Sequence, residues 1–233
     1  MDKIRLDNRK KTFISNFLNE KEYKTEIFKM NDSELDFYAL KKCAEYLRNG
    51  EVIGFPTETV YGIGANALDE NACKMIYELK ERPSGKGLIC HLYHPSQGED
   101  IAYMDKRAYK LFEAFAPGPI TVVLRKKEVL CSVVTGGLDT VAIRFPSNRV
   151  FIELAKKTNY PIAGTSANIS SMPSPKECGQ VINDFEGLIP AIIDSGKTSV
   201  GVESTIVSLV KDKPEILRVG AISVEEISRV IDL

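Results

Sequence analysis

Cations, hydroxyls and glycines recur in a few short polar segments of this chain. Thr57-Glu58-Thr59-Val60-Tyr61-Gly62 follows an apolar run. Lys80, Arg82 and Lys86 crowd a turn broken by Pro83, Gly85 and Gly87, with His91 shortly beyond. Ser166, Asn168, Ser170, Ser171 and Ser174 make a hydroxyl-rich stretch. Glu203-Ser204-Thr205 opens another, and Arg218 follows. Thr140 and Arg144 stand four residues apart in a β-rich run, so both point to one side of a strand. The basic turn suits an anion such as a triphosphate. Hydroxyls and backbone N–H groups add donors for phosphate oxygens. Arg144 and Arg218 can clamp a carboxylate or a phosphate. A lone Lys or Arg in a turn is ordinarily a solvated charge. The clustering is what points to a cationic, hydroxyl-lined pocket for an anion or nucleotide, and it names no reaction.

Other chemistries are excluded. The chain has 233 residues and only two histidines, His91 and His94, which argues against a His/Cys zinc site and most Ser-His hydrolases. Gly196-Lys197-Thr198 has the ending of a P-loop, but the pattern needs glycine at 191, where Ala191 stands in an apolar run. Gly164-Thr165-Ser166-Ala167-Asn168 is superficially like a nucleophile elbow, yet no histidine follows to complete a triad. Gly62 and Gly64 are too little for a dinucleotide fingerprint. The 31 basic and 32 acidic residues give a net charge of −1, so global charge predicts neither a nucleic-acid nor a membrane partner. No apolar run is long enough to span a bilayer, and the charged start lacks a signal-peptide core. Five dispersed cysteines without a CxxC read as reduced thiols of a cytoplasmic protein.

The elements that must hold these residues alternate between strand and helix. Residues 1–30 carry eight basic and five acidic side chains and read as an N-terminal extension with one short amphipathic turn around Phe13, Ile14, Phe17 and Leu18. Residues 31–233 read as one domain. Ser33 is expected to cap a helix with Leu40, Cys43, Ala44 and Leu47 inward, ended by Asn49-Gly50. Strands are expected at 52–55, 88–93, 120–124, 140–145, 161–164, 189–194 and 204–210, with a glycine-rich loop at 56–66. Helices are expected after Asp69, after Asp105 and near 149–157. Capping boxes at Ser174/Glu177 and Ser223/Glu226 should open two more. The fold class is α/β, a twisted open mixed sheet flanked by helices. Its chemistry should lie in the loops at 56–66, 80–87, 164–174 and 195–204.

Seven ordered motifs carry a more specific likeness. They are Gly54-Phe55-Pro56-Thr57-Glu58-Thr59-Val60-Tyr61-Gly62-Ile63-Gly64-Ala65-Asn66-Ala67, Lys80-x-Arg82-Pro83, Leu88-Ile89-Cys90-His91, Pro117-Gly118-Pro119-Ile120-Thr121, Gly137-Leu138-Asp139-Thr140-Val141-Ala142-Ile143-Arg144, Ser166-Ala167-Asn168 and Gly201-Val202-Glu203-Ser204-Thr205-Ile206. Over roughly residues 35–225 the chain resembles the YrdC/TsaC-like family, the L-threonylcarbamoyladenylate synthases. The resemblance implies a sheet with a large concave cleft. It implies that L-threonine, bicarbonate or CO2, and ATP (with Mg2+) give L-threonylcarbamoyladenylate and pyrophosphate. It further implies a partner transferase that carries the threonylcarbamoyl group to adenosine 37 of tRNAs reading ANN codons, with room for direct tRNA contact.

By resemblance, Thr59, His91, Arg144, Gly164 and Ser204 match positions that contact threonine. Arg82, Lys86, Thr140, Ser166, Ser174 and Arg218 match positions that contact ATP. Lys80, with Arg82, matches the basic residues that serve catalysis at the anion-binding turn. The protein side chains supply no metal cage. Lys86-Gly87 stands where the family commonly has Asn-Pro, Arg218-Val219-Gly220 where it has Arg-Pro-Gly, and Thr165 where a proline often precedes Ser-Ala-Asn. On the resemblance, the chain is expected to be the single-domain form of the family. Two rival readings share these residues: an RNA-binding module using the same concavity, and a related carbamoyl-transfer enzyme with another amine acceptor.

Overall fold

Short polar side chains set where the helices begin. In the computed structural model, which describes residues 23–233, Asp36, Asp69, Asp105 and Asn148 each accept a backbone N–H of the first turn. They open α1 (Phe37–Arg48), α2 (Glu70–Lys80), α4 (Lys106–Phe115) and α6 (Arg149–Thr158). The other helices are α3 (Pro95–Ile101), α5 (Ser132–Thr135), α7 (Cys178–Phe185) and α8 (Val224–Ser228). The strands are β1 (Glu26–Lys29), β2 (Ile53–Phe55), β3 (Gly62–Asn66), β4 (Ile89–His91), β5 (Ile120–Arg125), β6 (Thr140–Arg144), β7 (Ile162–Ser166), β8 (Ala191–Asp194), β9 (Thr205–Ser208) and β10 (Glu215–Arg218).

Several expectations need correction. Asp36, not Ser33, caps α1; it stands one turn nearer the apolar stripe, while Ser33 bonds Asn31 Oδ1 through its N–H at 2.9 Å. The segment 56–66 is a loop only to Tyr61, because its second half is β3, paired on both sides. Ser174 does not cap α7. That helix starts at Cys178, with Gln180 reaching back to the N–H of Glu177, and the Ser174 hydroxyl is used elsewhere. Residues 26–29, grouped with the extension in the sequence, form an edge strand parallel to β8. The amphipathic turn expected around Phe13 to Leu18 lies outside the described residues. The short helices α3 and α5 were too brief for a periodic signal.

The strands make one mixed sheet in the order β1-β8-β2-β3-β7-β4-β6-β5-β9-β10. Alternation divides its side chains between two faces. Ile63, Ala65, Cys90, Val122, Ile143, Ala163 and Val207 point to one face, where they pack with Ala72, Ile76 and Leu79 of α2 and Leu111 and Phe112 of α4. On the other face, α1 and α6 cover only one end of the sheet. Leu40, Cys43 and Leu47 of α1 and Phe151 and Leu154 of α6 meet Ile53, Phe55, Ile162, Ala191 and Ile193 there. The remainder of that face has no helical layer among the described residues.

Phe55 closes the edge of this second core. Its ring lies across three glycines on neighbouring strands. A Cβ at Gly62 or Gly64 would stand 2.8 Å from a Phe55 ring carbon, and one at Gly164 would stand 3.3 Å from Cζ. Side chains there would push the ring away from Phe151, whose centroid lies 5.2 Å from that of Phe55. The glycines of this segment therefore serve packing in a strand rather than freedom in a loop.

Gly64→Ala should destabilise the protein by about 2 kcal/mol or more, because the backbone carbonyl of Ala163 also blocks relief. Gly179→Ala on α7, where an added Cβ meets nothing within 4 Å, should stabilise by about 0.5–1 kcal/mol. Urea denaturation measures both; equal, small effects would contradict the packing account.

Candidate functional site

The register lays residues of five strands side by side on the uncovered face. One row runs Gly164, Ile89, Ala142, Val123 and Ser208, each paired with the next. The adjacent row runs Ile162, His91, Arg144, Thr121 and Ile206. The first row is the floor of a cleft of about 890 Å3, within the range of small-molecule and cofactor sites. A second cavity of about 50 Å3 opens beside it, bordered by Thr57, Gly62, His91, Arg144 and Ser204. Ile89, Thr165, Ser166, Glu203 and Arg218 line both, so the two chambers share a wall.

The basic turn is a built structure. Arg82 donates from Nε to the Lys86 carbonyl at 2.9 Å and from Nη2 to the Gly87 carbonyl at 2.8 Å. Burial pulls the pKa of this guanidinium below its ordinary value. Lys86 is exposed on the rim. Lys80 is buried at the end of α2, and its ammonium donates to the carbonyls of Ser166, at 2.5 Å, and of Asn168. Its charge thereby ties the 166–168 turn to the basic turn, although the residue also lines the large chamber. Thr140, Gly164, Ser166, Ser174 and Arg218 line that chamber too.

Arg144 is 4 % and Glu58 5 % exposed, and they pair at 2.8 Å through Nη2 and Oε1. The other Glu58 oxygen accepts the Ser147 N–H at 3.2 Å, and the Glu58 carbonyl accepts the Val200 N–H at 2.8 Å. Arg144 Nε has no partner. The guanidinium is thus anchored on one side and retains an unused donor for a carboxylate. His91 sits against Phe55 and Phe151, with centroids 5.7 and 5.8 Å away, and its Nδ1 has no hydrogen bond. Burial, helped by the Arg144 charge, pushes its pKa down to about 3, so the ring is neutral at pH 7. His94 is used differently, as the cap of α3.

Ser204 Oγ pairs with Thr121 Oγ1 at 2.7 Å and accepts from Arg218 Nη2 at 3.1 Å. Arg218 also meets Glu203 Oε2 at 3.0 Å, and Ser174 donates to Glu203 Oε1 at 2.5 Å. Burial lowers the Arg218 pKa, with Glu203 opposing the shift.

Of the residues matched to threonine contacts, His91, Arg144 and Ser204 border the small cavity and Gly164 the large one. Thr59 borders neither. Thr57 Oγ1 donates to the Val60 carbonyl and accepts the Thr59 and Val60 N–H groups, and this turn leaves the fully buried Thr59 hydroxyl against Thr57 at 2.9 Å. Thr57 takes the wall position. Residues 195–199, expected to join the chemistry, line another groove with Asn31, Asp32, Ser33 and Arg149, which meets the small cavity at Thr57 and Tyr61. Neither Glu58 nor Glu203 is among the residues singled out from the sequence for a role. A carboxylate beside buried strands calls for a cation, and that was the available signal.

Comparison with known proteins bears on this cleft. The Sua5, YciO and YrdC family model, described as telomere recombination, matches residues 45–220. A threonylcarbamoyl-AMP synthase of Pyrococcus abyssi is 46% identical over 198 residues, which are 84% of this chain and 58% of that protein. One of Bacillus subtilis is 45% identical over 82% of this chain and 56% of its own length. The chain therefore spans little more than half the length of these curated relatives. A crystal structure of P. abyssi Sua5 complexed with L-threonine superposes with a TM-score of 0.87 at 45% identity, covering 89% of this chain and 61% of that one.

Because folding holds His91 near pKa 3 against an ordinary 6.5, the contribution of its neutral form to stability is intact above pH 6.5. It is lost as pH falls toward 3. The unfolding free energy of the wild type should drop more steeply from pH 7 to pH 4.5 than that of His91→Gln. Parallel pH profiles would contradict the assignment.

Proposed function

The chain belongs to the Sua5/YciO/YrdC family, and we propose on that premise that its cleft makes L-threonylcarbamoyladenylate from L-threonine, bicarbonate or CO2, and ATP, releasing pyrophosphate. One observation carries the reading. Every residue matched to ATP (Arg82, Lys86, Thr140, Ser166, Ser174, Arg218) lines the large chamber, with Ser166 and Arg218 on the shared wall, and three of the five matched to threonine, His91, Arg144 and Ser204, border the small one alone. The shared wall is where an amino acid in one chamber would meet the α-phosphate of a nucleotide in the other.

The residues suggest the following chemistry. Arg144, fixed by Glu58, receives the threonine carboxylate. Neutral His91 and the hydroxyls of Thr57 and Ser204 surround the rest of the amino acid. The neutral amine adds to CO2 with loss of a proton, or to bicarbonate with loss of water, giving a carbamate. A carbamate oxygen attacks the α-phosphorus in line, and the bond to pyrophosphate breaks. The side chains offer no covalent nucleophile at this point, so positioning and charge stabilisation carry the rate. The basic turn neutralises the leaving pyrophosphate.

Mg2+ would enter on the nucleotide. No group of three metal-ligating side chains occurs among the described residues. Magnesium's preference for phosphate and water oxygens fits that arrangement. The adenylate is a reactive acyl donor, so a transferase acting on adenosine 37 of tRNAs reading ANN codons would consume it. Four of the five free thiols are buried, which supports a reducing compartment such as the cytoplasm. No helix among the described residues is long and apolar enough to cross a membrane.

Purified protein with ATP, Mg2+, L-threonine and bicarbonate should release pyrophosphate only when threonine and bicarbonate are both present, with a new adenylate by mass spectrometry. Arg82→Ala should lower turnover by about 100-fold or more while keeping the fold. Threonine-independent release, or a fully active Arg82→Ala, would contradict the proposal.

A further inference from the structure

The two acid–arginine pairs of the cleft differ in kind. Glu58–Arg144 is 5 % and 4 % exposed, a pair that cannot open without stranding buried charge. Glu203–Arg218 is 37 % and 35 % exposed, where screening leaves an ion pair little hold on the fold. The backbone at Glu203 is fixed independently, since its carbonyl accepts the Ala221 N–H at 2.9 Å. Arg218 is also fixed independently, since Nε and Nη2 donate to the Ser204 carbonyl at 3.1 and 2.9 Å. The Glu203 carboxylate can therefore leave Arg218 while the guanidinium stays in place.

Those partners are the side chains on this wall best suited to phosphate oxygens: the Ser174 hydroxyl and the Arg218 guanidinium. A carboxylate occupying both is an internal anion in the position a nucleotide needs. We propose that Glu203 is a displaceable counter-anion of the nucleotide site. ATP phosphates take Ser174 and Arg218 from it by exchange, and the freed carboxylate turns to the small cavity it already borders. This rests on the synthase reading and assigns the residue that links its two substrates. A carboxylate released beside His91 and Arg144 offers a partner for the ammonium of an amino acid whose carboxylate lies on Arg144. Nucleotide binding then strengthens threonine binding, and by linkage the reverse. Until exchange occurs, the negative charge of Glu203 opposes the phosphates.

The direction of this effect is opposite to that of an ordinary binding residue. Glu203→Gln keeps an oxygen for Ser174 and removes the charge. Titration calorimetry with a non-hydrolysable ATP analogue and Mg2+ should show the variant binding the analogue roughly fivefold to tenfold more tightly than wild type, because a like charge has been removed. Glu203→Ala should shift the same way. The analogue should raise the threonine affinity of the wild type and leave that of Glu203→Gln unchanged. Variants that bind the analogue no better than wild type, or that melt well below it, would make Glu203 a ligand or a structural residue and overturn the proposal alone. A wild type that binds no nucleotide would overturn the synthase reading and this proposal together.

Discussion

The close approach of the Phe55 ring to Gly62, Gly64 and Gly164 decides where the helical layer stops and the cleft starts. The ring needs three bare backbone positions on two adjacent strands. In return it joins the sheet to Phe151 on α6 and gives His91 an aromatic edge at 5.7 Å. Beyond it the same face is open, and the row from Gly164 to Ser208 becomes a floor instead of a core. The small side chains of that row, among them Gly164 and Ala142, keep the floor low enough for a ligand to lie on it.

Charge in the cleft is organised by burial. At the end nearest Phe55, Glu58 and Arg144 are buried and hold each other in one geometry, and Ser147 supplies a third point of attachment. Lys80 is buried as well, and its bonds to the carbonyls of Ser166 and Asn168 order two loops against each other. Toward solvent, Glu203, Arg218 and Ser174 form a looser set. A rigid inner end and an exchangeable outer end suit a small ligand that must be oriented and a large one that must enter and leave.

Much of this was legible in the sequence because it depends on local period. The i, i+4 spacing put Thr140 and Arg144 on one face, and apolar stripes at helical spacing marked α1, α2 and α4. Clustered cations marked the turn at 80–87. What depended on register was not legible. Nothing local says that Ile89 lies beside Gly164 and Ala142, or that the glycines after Phe55 belong to a strand beneath its ring. Ser174 satisfied a capping pattern, yet a carboxylate 29 residues later was the better partner. Lys80 read as a charge at the cleft, which it lines, but its bonds to the carbonyls of Ser166 and Asn168 were not legible locally. The strand at 26–29 was hidden because its partner, β8, lies far along the chain.

The central claim is that one uncovered sheet face holds an amino acid and a nucleotide in adjoining chambers. A crystal structure of this chain with L-threonine and a non-hydrolysable ATP analogue tests it most directly. The account predicts the threonine carboxylate on Arg144, its remaining atoms among His91, Thr57 and Ser204, and the nucleotide over Ile89 and Ala142 with its phosphates toward the basic turn. Threonine seated away from Arg144, or either ligand in the groove formed by residues 31–33 and 195–199, would contradict it.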